Sequence, residues 1–147
     1  MPVAQKSRML DQLNKIQLDE QYRIEAMFLR SVDRIGDDEY DYIGRRIDRK
    51  FYITENSHFL WIRDLASFYR KLYNILQNHL NKKAELSIRS AQTVGSALLY
   101  FINPYDFFPD FTREYGYVDD LYVLLLCLNM ISNQELLVEL YDQPFRE

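Results

Sequence analysis

The stretch SHFLWIRDLASFYRKLYNILQNHLN, residues 57–81, decides the fold. Phe59, Leu60, Ile62, Leu65, Phe68, Tyr69, Leu72, Ile75, Leu76 and Leu80 recur at spacings of three and four, with Arg63, Arg70, Lys71 and Asn74 between them. That period belongs to an α-helix with a wide apolar stripe, and a stripe this wide and long marks the central helix of a bundle. Thr54–Ser57 lacks periodicity and offers the small polar residues that begin such a helix.

The same period extends outward in both directions. Upstream, Leu10, Leu13, Ile16 or Gln17, Ile24, Met27, Phe28 and Ile35 predict a long amphipathic helix over about Val3 to Ile35, with a break near Asp19–Gln21. Gly36 is expected to end it as a C′ glycine. Asp37 or Asp38 then caps a second helix, to about Phe51, with Tyr40, Ile43, Ile47 and Phe51 on its apolar stripe and Arg45, Arg46, Arg49 and Lys50 on its other face. Downstream, a fourth helix is expected from about Lys83 to Asn103, where Gly95 and Ala97 allow close approach of a neighbour. A fifth, about Val118 to Ser132, is apolar nearly all round and therefore expected to be buried. Ser132 and Glu135 form a capping box for a last helix to about Asp142. The expectation is an all-α, bundle-like single domain of five or six helices over residues 1–147.

Composition agrees. Four Gly and four Pro in 147 residues are too few for the many turns of a β-sandwich or barrel. A hydrophobic fraction of 48% excludes a disordered chain, and twelve tyrosines imply a core with rings inside and hydroxyls at its edge. Cys127, the single cysteine, permits no internal disulfide and reads as a small buried hydrophobe in an apolar run. No signal peptide is visible, and no run reaches the ~20 apolar residues of a spanning helix, so a cytoplasmic location is expected. The charge is uneven. Residues 51–103 carry six basic and three acidic groups, whereas residues 104–147 carry two basic and nine acidic, a net of −7. That third repels nucleic acid and attracts cations or basic partners.

Within it, ALLYFINPYDFFPD (97–110) is followed, after a short gap, by GYVDDL (116–121). The pattern is an apolar helix, Pro104-x-Asp106-x-x-Pro109-Asp110, then Gly116-x-x-Asp119-Asp120 and a second apolar helix. It resembles the YkvA-like domain of unknown function found in many bacterial proteins, over about residues 96–131. The resemblance implies a helical hairpin with an ordered acidic loop, a bacterial source and no particular chemistry. Arg113 stands where that family often has a further Pro.

Asp106, Asp110, Asp119 and Asp120 lie within fifteen residues, and a helical hairpin gathers them at one end. Such carboxylates repel unless something compensates. One reading is capping: Asp119 as the N-cap of the fifth helix, Asp120 at its positive end, Asp106 and Asp110 in Asx-turns beside Pro104 and Pro109. A second is a site for Mg²⁺, Ca²⁺ or Mn²⁺, although the spacing fits neither an EF-hand nor a DDxxD motif, Val123 standing where the third Asp would be. A third is docking onto a basic surface, either a partner's or the Arg45–Lys50 face of this chain.

That basic face could bind phosphate or an anionic membrane; the bland reading, preferred here, is a solvated face with local salt bridges. His58 and His79 form no HExxH pair and lie outside the acidic segment, and no phosphate-binding Gly-rich loop or nucleophile elbow is present. The resulting expectation is a non-catalytic helical interaction or scaffold module whose partner is a protein or a second copy. Nucleic acid is not expected. The alternatives are a metal-dependent hydrolase using the four aspartates, and a peripheral membrane protein.

Overall fold

The computed structural model describes residues 8–84, 86–102 and 114–131. Five α-helices account for most of them: α1 (Leu18–Val32), α2 (Asp37–Glu55), α3 (Leu60–Leu80), α4 (Ile88–Ile102) and α5 (Val118–Met130). Short 3-10 turns, Asp11–Lys15 and Glu114–Tyr117, precede α1 and α5, and the described residues contain no strand. The fold is all-α and bundle-like. The sixth helix expected after Ser132 lies outside the described residues.

The centre of the bundle is α4, not α3. It packs against α1, α2, α3 and α5, whereas α3 packs mainly against α2 and α4. The reason is side-chain size. Ser90, Ala91, Gly95, Ser96 and Ala97 are all buried and let four neighbours close in. A Cβ on Gly95 would meet Tyr40 Cε1 at 2.8 Å and Ile35 Cγ2 at 3.1 Å, so this glycine is where α2 and the end of the α1 segment reach the α4 backbone. Polar links reinforce the α1–α4 contact: Gln92 Nε2 donates to the Ile35 carbonyl at 3.2 Å, and Ser96 Oγ to the Phe28 carbonyl at 3.5 Å.

Several boundaries differ from expectation: α2 runs on to Glu55 rather than about Phe51, and α4 begins at Ile88 rather than about Lys83. The N-terminal helix breaks at Ile16 and Gln17, both extended, rather than at Asp19–Gln21. Gln21 Nε2 donates to the Ile16 carbonyl at 3.2 Å across that break. Met9 rather than Leu10 enters the core, and Ile16 rather than Gln17. Gly36 is not a left-handed C′ residue: α1 ends at Val32, and Gly36 is extended and serves as the N-cap of α2. Its N–H donates to Glu39 Oε1 at 2.8 Å, the carboxylate half of a capping box, and this displaces Asp37 and Asp38 from the cap.

The stripe of α3 is buried from Trp61 to Leu76, while Phe59, Leu60 and Leu80 at its ends are exposed. Ile43, Ile47 and Phe51 seat α2 on the same core. α5 is enclosed on one side by Val118, Leu121, Val123, Leu124, Cys127 and Leu128. Its other side, with Tyr122, Leu125, Leu126 and Met130, is half-buried. No described helix is long and apolar enough to cross a membrane.

Candidate functional site

The first turn of α5 brings two carboxylates into the core. Asp119 and Asp120 occupy the second and third helical positions, and both have 0% exposure. The N-cap is Tyr117, with no side-chain hydrogen bond to the helix end, so Asp119 is not the N-cap that its position suggested. Position in the first turn still places both carboxylates in the favourable field of the helix N-terminus.

Side chains of α3 and α4 reach this turn, and α2 adds a ring and a cation to the aromatic cluster beside it. From α4, the Tyr100 hydroxyl donates to Asp119 Oδ2 at 3.1 Å. From α3, the Tyr69 hydroxyl donates to the backbone carbonyl of Asp120 at 2.5 Å. The Tyr69 ring lies flat on Phe101, centroids 4.2 Å apart and planes at 9°, and Phe51 of α2 approaches Phe101 at 5.9 Å. Lys50, also from α2, sets its ammonium 5.4 Å from the centre of the Phe101 ring and 5.2 Å from that of Tyr117. The cluster therefore ties α2, α3, α4 and α5 together with two hydroxyls, stacked rings and a cation at the rim.

Of the residues singled out in the sequence, the structure brings Asp119 and Asp120 together, with Gly116 buried in the 3-10 turn just before them. Asp106, Asp110, Pro104 and Pro109 lie outside the described residues. Arg45, Arg46 and Arg49 are exposed on α2, and Arg46 covers the Tyr42 ring at 4.9 Å. Lys50 parts from them, half-buried at the cluster. Sequence reasoning missed Tyr69 and Tyr100 as partners of the acidic turn. The available signal was the richness in tyrosine, which implied inward rings but not which hydroxyl would meet which acid.

Among the described residues, no three His, Cys, Asp or Glu side chains gather as a metal-holding group. Cys127 is fully buried, its thiol pushed far above the usual range by loss of solvent, with Sγ 3.8 Å from the Thr93 carbonyl. His79 Nδ1 accepts the Leu86 N–H at 3.2 Å and ties down the chain that follows α3. The described surface carries grooves of about 370, 320 and 400 Å³, lined respectively around Arg34 and Glu39, around Arg70 and Lys71, and around Phe59 and Trp61.

The described residues define an all-α bundle in which α4 packs on α5 and two buried aspartates stand in the first turn of α5. Residues 93–126, from the middle of α4 into α5, match the sequence model of a family described as proteins of unknown function (DUF1232). That span overlaps the stretch, about residues 96–131, over which the sequence resembles the YkvA-like domain. No curated protein and no solved structure matches the chain.

Proposed function

We propose that this chain is a non-catalytic helical module that works by binding a partner, with the acidic hairpin as a rigid internal element. The observation that carries this reading is the use made of Asp119 and Asp120. Both are at 0% exposure, and the tyrosine hydroxyls of α3 and α4 meet them at Asp119 Oδ2 and at the Asp120 carbonyl. A hydrolytic carboxylate must face substrate and water. Both are enclosed in the bundle, where the bond to the Asp119 carboxylate and the bond to the Asp120 backbone help fix how α3, α4 and α5 pack.

A second support is the outer face of α1. Leu18, Tyr22 and Leu29 lie along a single stripe at 62%, 63% and 41% exposure, with Glu25 between the last two, a largely apolar face suited to a protein partner or a second copy of the chain. On this reading the module acts in the bacterial cytoplasm.

Thermal unfolding tests it. Wild type and Asp120→Asn are melted in EDTA and then in millimolar Mg²⁺, Ca²⁺ or Mn²⁺. The reading expects no metal effect on either protein and a lower midpoint for the variant throughout. A rise in the wild-type midpoint with one metal, absent in Asp120→Asn, would replace this reading with a metal-dependent hydrolase, because a ligand stabilises only the state that binds it.

A further inference from the structure

The corner between α2 and α3 presents apolar side chains to solvent. Tyr52 (74% exposed) and Ile53 (50%) stand on the last turn of α2, and Phe59 (41%) and Leu60 (50%) at the start of α3. The corner is braced rather than loose. Ser57 N–H donates to the Thr54 carbonyl at 3.2 Å, Phe59 N–H to Ser57 Oγ at 3.1 Å, and Asn56 Nδ2 to the Tyr52 carbonyl at 2.7 Å. With the α1 stripe, this braced turn is a second place on the described surface where exposed apolar side chains gather.

Basic residues stand behind this tip on both helices. Arg49 lies four residues before Ile53, and Arg63 three residues after Leu60, about one helical turn away in each case. Arg45 and Arg46 are a further turn back on α2, and Lys71 lies further along α3. Residues 45–71 hold seven cations and three anions, a net of +4 in a chain of net −4. Two of those anions are committed: Glu55 is paired with Arg70, and Asp64 with Arg8. Asp41 and Asp48 on α2, and Asp11, which borders the groove beside Phe59, oppose the collar.

We infer that this corner docks end-on to an anionic phospholipid bilayer, with Tyr52, Ile53, Phe59 and Leu60 entering the headgroup–acyl boundary and the arginines meeting lipid phosphates. The layering carries the choice of partner. Interfacial segments bury apolar groups ~5–10 Å deep beneath a plane of phosphates. Here the apolar tip and the first cations are separated by about one turn, or ~5 Å. An acidic protein surface would use the same charge but gives no reason for the cations to sit behind an apolar point. Tyr52 at the tip also suits the interface, where tyrosine is enriched. The inference goes beyond the proposed function and uses none of its carboxylates, so either can fail alone.

The test is flotation of the full chain with vesicles of phosphatidylcholine alone and of phosphatidylcholine mixed with phosphatidylglycerol, at low and high salt. Binding is expected only to the anionic vesicles and is expected to weaken with salt. The triple variant R45Q/R46Q/R49Q should lose on the order of a hundredfold in partitioning, from ~1 kcal/mol per cation near the surface. I53S should reduce binding without altering its salt dependence. All four positions are exposed, and unchanged circular dichroism and melting of the variants establish that they fold. Absence of binding to anionic vesicles, or equal binding by wild type and the arginine variant, overturns the inference; an acidic protein would then be the remaining match for the face.

Discussion

The Tyr69 hydroxyl and the Asp120 carbonyl meet at 2.5 Å across 51 residues of sequence, joining the middle of α3 to the first turn of α5. A helical carbonyl has two lone pairs, one used within the helix, and Tyr69 takes the other. Tyr69→Phe keeps the ring on Phe101 and removes only this bond, so it is expected to cost about 1 kcal/mol. Tyr69→Ala also removes the stacked ring and is expected to cost about 3–5 kcal/mol. Urea unfolding of both variants checks the ratio. Equal losses would mean that the hydroxyl, not the ring, holds α3 to the hairpin.

Tyr100 and Asp119 form the second such link, and here the acceptor is a carboxylate. A buried hydrogen bond of this kind contributes about 0.5–1.5 kcal/mol net, and more is lost when one partner is left unsatisfied. Tyr100→Phe and Asp119→Asn should therefore each destabilise, and a double-mutant cycle should return a coupling of about 0.5–3 kcal/mol. Additive losses would show that the 3.1 Å contact contributes nothing to stability in solution.

The two mid-helix glycines should respond with opposite signs. Gly44 in α2 has open space where a Cβ would be, so Gly44→Ala is expected to stabilise by up to about 1 kcal/mol through helix propensity. Gly95→Ala drives a methyl against Tyr40 and Ile35 at 2.8 and 3.1 Å, and is expected to destabilise by about 1–3 kcal/mol despite the same propensity gain. Melting midpoints of the two variants decide this, and a rise for Gly95→Ala would mean that the Tyr40 ring swings aside freely.

Alkaline pH should loosen the fold through three tyrosines. Burial raises the pKa of Tyr40, with Asp37 and Glu39 adding to it. Burial followed by Asp48 raises that of Tyr73, and burial followed by Glu25 and Tyr22 raises that of Tyr122. For each, the folded value lies above the unfolded value of about 10. Their contribution is thus fully present below pH ~10 and is lost as pH climbs through the raised values. Tyrosinate absorbance followed against pH should show a late-titrating fraction, and the urea midpoint should fall over the same range. A single titration at the ordinary tyrosine pH, with no late fraction, would contradict the burial of these hydroxyls.

The helices were legible because their apolar residues keep the period. Ile62, Leu65, Phe68, Leu72 and Leu76 are all in the core. Which helix is central was not legible, because that depends on Gly95 and the small residues around it accepting neighbours from every side, a property of packing that periodicity does not carry. The ends failed for a related reason: Phe59 and Leu60 continue the pattern but project past the helices that would cover them. The role of Gly36 was misread because Glu39, three residues on, captures its N–H, and a glycine in extended backbone looks the same in sequence as one with positive φ. At the acidic turn the pair Asp119–Asp120 was visible as a motif, while Tyr69 and Tyr100 were not, since their contacts span 51 and 19 residues and nothing local marks them.

The enclosure of Cys127 makes the chain a convenient labelling scaffold. Its only thiol is sealed between α5 and the Thr93 carbonyl of α4 and held in the unreactive form. Any cysteine added at an exposed position becomes the sole reactive thiol without first deleting the native one. A probe attached through Ile53→Cys would report directly on what surrounds the α2–α3 corner, and one attached through Leu18→Cys on what approaches the outer face of α1.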